Sequence, residues 1–380
     1  MTEKLYENDA YIKQFTANVV DVINCENFYK IILDKTAFFP EGGGQASDTG
    51  YLGNVEVYDV QIEDGIIYHY TRDSLEIGSE IEGKIDFDRR FNFMQNHTGE
   101  HIVSGIAHEL FGVNNVGFHL GEELVTIDFD KELTREQLDE VERIANQKVW
   151  NNLAVKAYFP TQSELDEINY RSKKEINGAV RLVDIKDTDV CACCAPHVSS
   201  TGQIGIIKLL DCEKMRGGIR IVLKCGDFAL KDYRNKYENV LQISALLSAQ
   251  QENTAVAVKK LDEKCNIANQ KISELKKKIA ELTINSVAPN AKCVFVDECE
   301  VKDLQLIADG LFKKHGSIKA VFSNCGDCIY AFAICGNDNE LQPLFAKFKS
   351  QFTVRGGGRG GMVQGTVTAT KEDINLFFEF

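Results

Sequence analysis

Over the first 90 residues, apolar and polar side chains alternate in short runs about a glycine-rich stretch at 40–50, as at Glu56–Ile62 and Ile66–Tyr70 beyond it. Period-two runs broken by turn residues predict strands, and several short ones in series predict a small β-barrel. From Asp88 to Leu110 the period becomes helical, with Gly112 placed as a stop, and Val125–Phe129 then alternates again. Thr134-x-x-Gln137 is a capping-box signature, followed by an apolar stripe at Leu138, Val141, Ala145 and Val149. This second stretch reads as mixed α+β.

Steps of four and three residues from Tyr233 to Leu282 land almost wholly on apolar positions, with Ser244, Gln251 and Thr254 as the polar exceptions. A 3.5-residue repeat sustained this far predicts a coiled-coil seam. A continuous rod would measure roughly 75 Å at about 1.5 Å per residue; a helical hairpin folding back near 250–253 is the alternative. Beyond Asn285 the pattern is compact α/β. It comprises a strand at Cys293–Val296, a helix at Lys302–His315 closed by Gly316, two strands about the turn 324–327 and a helix near Glu340–Phe352. The glycines at 356–361 predict a loop whose backbone lies close to something else, and a last strand is expected at Ile374–Phe380. The expected fold class is α+β in four parts: a barrel at 1–90, a second α+β domain at 91–228, a coiled-coil linker at 229–285 and a glycine-rich C-terminal α/β domain at 286–380.

A chain of 380 residues is long enough for two or three folded units. No apolar run approaches the roughly 20 residues of a bilayer span, and the start MTEKLYENDAYIKQF carries no leader pattern, so a cytoplasmic protein without a membrane partner is expected. In that compartment the 12 cysteines are read as free thiols or metal ligands, and Cys325-x-x-Cys328, with no second pair, as structural thiols. The net charge of −14 argues against a grip on nucleic acid by bulk electrostatics while leaving room for local basic grooves. The excess acid lies in residues 1–228, which sum to −16, against +3 for 229–285 and −1 for 286–380.

His97-Thr98-Gly99-Glu100-His101 falls inside the predicted helix, where i,i+4 spacing puts both imidazoles on one face, as a single metal ion requires. About ninety residues on, Cys191-Ala192-Cys193-Cys194-Ala195-Pro196-His197 supplies a second pair, Cys193 and His197, on a short irregular turn. Three histidines and a thiolate suit one tetrahedral zinc, with Cys191 and Cys194 as rivals for the sulfur position. Ligand count alone leaves the site structural or catalytic. Two neighbours favour chemistry: Glu100 to orient or deprotonate a water, and the Gly42-Gly43-Gly44 loop with Gln45 to admit a polar substrate close to its backbone. The same helix also fits the inverted-zincin pattern H-x-x-E-H of metalloproteases. His69, His108 and His315 read as packing or surface residues.

Taken together these segments resemble the alanyl-tRNA editing proteins of the AlaX type, in their long form, freestanding relatives of the editing and C-terminal domains of alanyl-tRNA synthetase. Thr36-Ala37-Phe38-Phe39-Pro40-Glu41-Gly42-Gly43-Gly44-Gln45, followed by Asp48 and Gly50, resembles the family's glycine-rich entry motif. Met94 to His101 is similar to its first zinc motif, and Cys193 to Val198, running into Thr201-Gly202-Gln203-Ile204-Gly205, to its Cys-Gly-Gly-Thr-His motif. Lys214 to Ile221 resembles the basic strand closing the editing domain, and Gly357-Gly358-Arg359 with Gln364-Gly365 the glycine-rich C-terminal domain. One departure is Cys194-Ala195-Pro196 in place of Gly-Gly-Thr, which stiffens the turn.

The resemblance implies a zinc-dependent trans-editing hydrolase that removes serine, with glycine as a second candidate, from mischarged alanine tRNA. Physical reasoning makes the need plain, since a pocket sized for alanine rejects neither an added hydroxyl nor a smaller residue well. By the same resemblance His97, His101, Cys193 and His197 hold zinc, the Thr36 hydroxyl recognises the serine hydroxyl, and Gly43, Gly44 and Gln45 line the entry. Arg216 and Arg220, on one predicted strand, meet the acceptor end. Arg359 and Arg355, with Lys276-Lys277-Lys278, offer further positive points, and the C-terminal domain touches the tRNA's outer bend and dimerises, the rod setting the spacing. The other readings are a tRNA-binding module with a structural zinc and an inverted-zincin metalloprotease.

Overall fold

Alternation builds the N-terminal part of the computed structural model, which describes residues 2–122, 124–172 and 179–379. Strands β1 (Gln14–Cys25), β2 (Phe28–Leu33), β3 (Gly50–Leu52), β4 (Val55–Glu63), β5 (Ile66–Thr71) and β6 (Glu80–Ile85) pair in the order β1-β2-β5-β4-β3-β6. All these pairs are antiparallel, and β1 returns to β6, closing the barrel. Its interior is filled by Phe15, Ile31, Leu33, Phe38, Phe39, Leu52 and Val57. Gly83 is needed there because a Cβ would stand 2.4 Å from the Phe15 ring.

Helix α1 (Phe87–Phe111) leaves the barrel with Asp86 as N-cap and ends at Gly112, whose φ of 60° no side chain adopts cheaply. It is buried on every side from Phe93 to Ala107. The elements around it are β7 (Asn115–Leu120), β8 (Val125–Phe129), α2 (Arg135–Trp150), β9 (Val155–Tyr158), β10 (Leu182–Ile185), β11 (Asp189–Ala192), β12 (Ile207–Met215) and β13 (Gly218–Cys225). They form two antiparallel sheets, β12-β13-β8-β7 and β9-β10-β11. The Thr134 capping box forms as the spacing predicts, and Leu138, Val141, Ala145 and Val149 are the buried face of α2.

The 233–282 repeat is not one continuous rod. Helix α3 (Gly226–Leu247) stops at Ser248, whose φ is 49°, and α4 (Thr254–Ser286) starts after a single 3₁₀ turn at Gln251–Asn253. The cause is local: the Ser244 hydroxyl donates to Ala249 O at 2.6 Å, and the connecting Ser-Ala-Gln-Gln-Glu-Asn has nothing large and apolar to bury. Tyr233, Ile267, Ile272, Leu275, Ile279 and Leu282 are exposed.

The chain divides into two compact units, Met1–Val240 and Leu241–Phe380. In the second, β14 (Cys293–Val296), α5 (Val301–His315), β15 (Lys319–Asn324), β16 (Ile329–Cys335), α6 (Asp338–Gln351), β17 (Thr353–Gly357), β18 (Met362–Thr368) and α7 (Lys371–Glu379) build a five-stranded sheet. Its order is β14-β15-β16-β18-β17, with only β14 and β15 parallel. Two expectations are corrected here. The glycine cluster is partly strand, and what its backbone approaches is β18: a Cβ on Gly356 would lie 2.2 Å from Gln364 O, and one on Gly365 would lie 2.2 Å from Arg355 O. The C-terminal segment is helix, because Ile374, Phe377 and Phe378 recur at helical spacing and all three are buried, while the Thr370 hydroxyl accepts from Asp373 N as a cap. Phe380 lies outside the described residues. Lys276, in the predicted lysine run, pairs with Glu300 and Asp303.

Candidate metal centre

Small residues let α1 sit deep enough to carry ligands. A Cβ on Gly99 would stand 2.3 Å from Cys225 Sγ, and one on Gly105 would stand 2.8 Å from the Asp189 Cβ, so these two glycines set the approach of α1 to β13 and β11. Two polar side chains of this helix are tied to neighbouring backbone: Asn96 accepts from Cys225 N at 2.8 Å, and Gln95 donates to Gln203 O at 2.8 Å.

The second ligand pair is held by Arg181, buried, which donates to Cys193 O at 3.0 Å and Ala195 O at 2.9 Å. Burial lowers the basicity of that guanidinium. Pro196 stiffens the same turn, and Val198 N donates to the Thr98 hydroxyl at 3.3 Å, fastening the turn to α1.

His97, His101, Cys193 and His197 converge, with one ligand atom from each lying within 4.8 Å of the others. Cys193 Sγ is 3.5 Å from His97 Nε2 and 3.4 Å from His197 Nε2. Two ligands on one tetrahedral zinc, at about 2.0 and 2.3 Å, would stand about 3.5 Å apart, so these separations fit a shared cation. The outer nitrogens are held too. His97 Nδ1 lies 2.8 Å from Gln45 Oε1, His197 Nδ1 lies 3.0 Å from Thr98 Oγ1, and His101 Nδ1 faces Asp189 Oδ2 at 3.4 Å in an ion-pair contact rather than a well-formed hydrogen bond. With each outer nitrogen protonated, each Nε2 presents a lone pair.

Of the rival thiols, Cys191 lies instead with His101 and Asp189, and Cys194 is exposed beside the Gly42–Gly43 turn. Glu100 is fully buried. Its Oε1 accepts from Ser104 Oγ at 2.6 Å and from Asn115 Nδ2, and its Oε2 is 3.9 Å from His101 Nε2. The third and fourth members of the cluster are Cys193 and His197, where an inverted zincin would want a carboxylate.

The glycine-rich motif reaches the same place. Gly44, at φ 84°, must be glycine because a Cβ would lie 2.4 Å from Phe118 O, and the loop is zipped to β7 through Leu120 N to Gly44 O at 2.7 Å. Gln45 is thereby driven inward onto His97, while its own Nε2 is buried with no hydrogen-bond partner among the described residues. Gly43 precedes it at φ 61°. Fully buried Arg90 ties this loop to α1, pairing with Asp48 through Nε at 2.9 Å and through Nη2, and donating to Ala37 O at 2.6 Å.

Thr36 is fully buried and bonds to the barrel's own residues. Its hydroxyl accepts from Phe38 N at 3.1 Å and bonds His69 Nε2 at 2.8 Å. His69 is fully buried, with Nδ1 donating to Ile31 O, and burial pushes its pKa down to about 4. Arg216 and Arg220 do not share a strand. Arg216 lies in the turn between β12 and β13, and Arg220, in β13, is held by Asp128 of β8 through two 2.7 Å bonds. Arg359 belongs to the C-terminal unit, between β17 and β18. Sequence reasoning missed Asp189, Arg171, Ser104 and Asn115. For Asp189 a signal existed, since it alternates with Cys191 on one strand face; for Asn115 none did.

The comparisons agree with this layout. Residues 3–89 match the model of class II (A) tRNA synthetases, and residues 180–222 match the threonyl and alanyl tRNA synthetase second additional domain. The alanine–tRNA ligase of Pyrococcus abyssi is 32% identical over 392 aligned residues, covering 96% of this chain and 42% of that protein. The enzyme of Methanococcus aeolicus is 31% identical over 387, covering 96% and 41%, and that of Natronomonas pharaonis 33% over 297, covering 74% and 32%. Nearly the whole chain is therefore similar to one part of alanine–tRNA ligase, and two of its segments match tRNA synthetase domain models. The chain spans about two fifths of the Pyrococcus protein's length. Among the described residues no helix is long and apolar enough to cross a membrane.

Proposed function

We propose that the chain is a zinc-dependent deacylase that edits alanine tRNA, hydrolysing the ester between a wrongly attached serine, or glycine, and the terminal adenosine. The observation that carries this reading is the convergence of three imidazoles and a thiol beside Gln45 of the glycine-rich loop. In the reaction, water adds to the ester carbonyl carbon, the bond to the ribose oxygen breaks, and the proton lost by water ends on that oxygen. A bound divalent cation supplies Lewis-acid polarisation of the water or of the ester.

The chain's own residues do the rest. Glu100, held at Oε1 by Ser104 and Asn115, has Oε2 beside the ligand nitrogen of His101, where it takes up a proton from water. Gln45 fixes the tautomer of His97 with its carbonyl and keeps an N–H donor for the ester or its oxyanion. Thr36, with one acceptor lone pair beyond its bonds to Phe38 and His69, receives the serine hydroxyl. Exposed apolar positions on α4 favour pairing with a second copy of the chain.

Hydrolysis of seryl-, glycyl- and alanyl-charged alanine tRNA by the purified protein is the test. Serine should be released much faster than alanine. Cys193→Ala should abolish both activity and metal content, whereas Glu100→Gln should keep the metal and lose about a hundredfold or more in rate. A second reading, a tRNA-binding module with a structural zinc, is favoured by the complete set of four donors. Metal and tRNA binding without turnover would select it.

A further inference from the structure

Arg171 lies outside both matched segments and Asp189, though inside 180–222, belongs to none of the short motifs, yet the two form the outer edge of the four-donor cluster. Asp189 opens β11, where strand alternation puts it on one face with Cys191. That face meets α1 at Gly105, where an added Cβ would stand 2.8 Å from the Asp189 Cβ. Through this gap Asp189 Oδ2 reaches His101 Nδ1 at 3.4 Å.

The same carboxylate is gripped from the other side. Arg171 Nε lies 2.7 Å from Oδ1 and Nη2 lies 2.8 Å from Oδ2, a bidentate pair. Arg171 is itself anchored, since its N donates to Val190 O at 2.8 Å and its O accepts from Ala192 N at 2.9 Å. His101, Asp189 and Cys191 also bring three ligand atoms close enough for one cation of their own. A guanidinium already holds that carboxylate, so its charge is balanced by a tethered cation.

We propose that Asp189 and Arg171 are an opposed pair of positioning residues for His101: Asp189 keeps the proton on Nδ1 so that Nε2 faces the cluster, and Arg171, sharing the carboxylate, restrains how tightly the cluster holds its cation. This rests on the reading that the four donors bind a divalent cation. The signs follow from Coulomb's law, because an anion behind a ligand imidazole strengthens the attraction for a dication and a guanidinium weakens it. Screening is slight, with the Asp189 side chain 3% exposed and that of Arg171 20%. Burial pushes the Asp189 carboxyl up, yet the facing His101 and the paired Arg171 outweigh it and hold the carboxyl below its ordinary range.

The test uses the full chain, with zinc affinity measured by competition against a chromophoric chelator and ligand geometry by the visible absorption of the cobalt(II)-substituted protein. Asp189→Asn, which is isosteric, should weaken zinc by about 10–100-fold and alter the cobalt spectrum. Arg171→Met should move the affinity the other way, tightening zinc by about tenfold, while Arg171→Lys, keeping the charge, should stay nearer the parent than Arg171→Met. A merely structural role weakens binding in both Asp189→Asn and Arg171→Met, because both break a buried pair. Shifts of the same sign, or none, with a parent chain that binds one equivalent of zinc, overturn the inference and leave the cation reading standing. A parent chain that binds no zinc, cobalt or other divalent cation overturns the cation reading and the inference with it.

Discussion

A histidine that looks like packing can still set a protein's response to acid. His69 is sealed in the barrel between Ile31 O and the Thr36 hydroxyl, and burial lowers its pKa from 6.5 to about 4. The folded protein thus holds fewer protons than the unfolded chain between those two values. Stability from this group is full above pH 6.5 and is lost as pH falls towards 4, by roughly 3 kcal/mol in total. Urea unfolding of the parent and of His69→Gln at intervals from pH 7 to 4 should show the parent losing that much more than the variant. Parallel curves would mean that His69 does not titrate as its burial requires. The same residue sits behind Thr36, so the variant should also blunt discrimination between serine and alanine esters by misdirecting the Thr36 hydroxyl.

Between elements, the contact that matters most is the one joining helix to loop. Arg90 of α1 and Asp48 beyond the glycine turn are both fully buried, and the guanidinium also holds Ala10 O and Ala37 O. Asp48→Asn leaves a buried cation without its counter-charge and should cost about 3–5 kcal/mol in denaturant unfolding. Replacing both partners with apolar residues should recover a large part of that loss, and failure to recover it would assign the cost to packing rather than charge. This pair also marks how far sequence reads. Elements set by local chemistry were legible: the Thr134 capping box, the Gly112 stop, and the i,i+4 histidines on one face of α1. What decided the rest was contact between distant segments. Glu100 is buried because Asn115 and Ser104 close over its carboxylate, and Gly356 and Gly358 are held to glycine because a Cβ on either would meet the β18 backbone. At Ser248 heptad spacing left a rod and a break near 250–253 both open, and a hydroxyl bond with a polar connector decided for the break.

At the scale of the whole molecule, charge and connectivity divide the work. Donor residues 96 positions apart, His97 and Cys193, meet in the first unit, so a cation shared there would act as a cross-link. Chelation should lower the thermal transition of that unit and leave the transition of Leu241–Phe380 in place. The same division predicts how a fragment behaves. Residues 1–228 carry −16, a poor surface for a polyanion, whereas 229–285 sum to +3 and 286–380 to −1. If the proposed function holds, a fragment of residues 1–240 should therefore retain one zinc equivalent and its kcat, while its KM for charged tRNA rises about tenfold or more. Sedimentation should find it monomeric, since the exposed apolar positions of α4 are gone. Loss of zinc from the fragment would mean that the first unit does not fold alone. An unchanged KM would mean instead that the glycine-rich unit, Arg355 and Arg359 included, takes no part in holding the RNA.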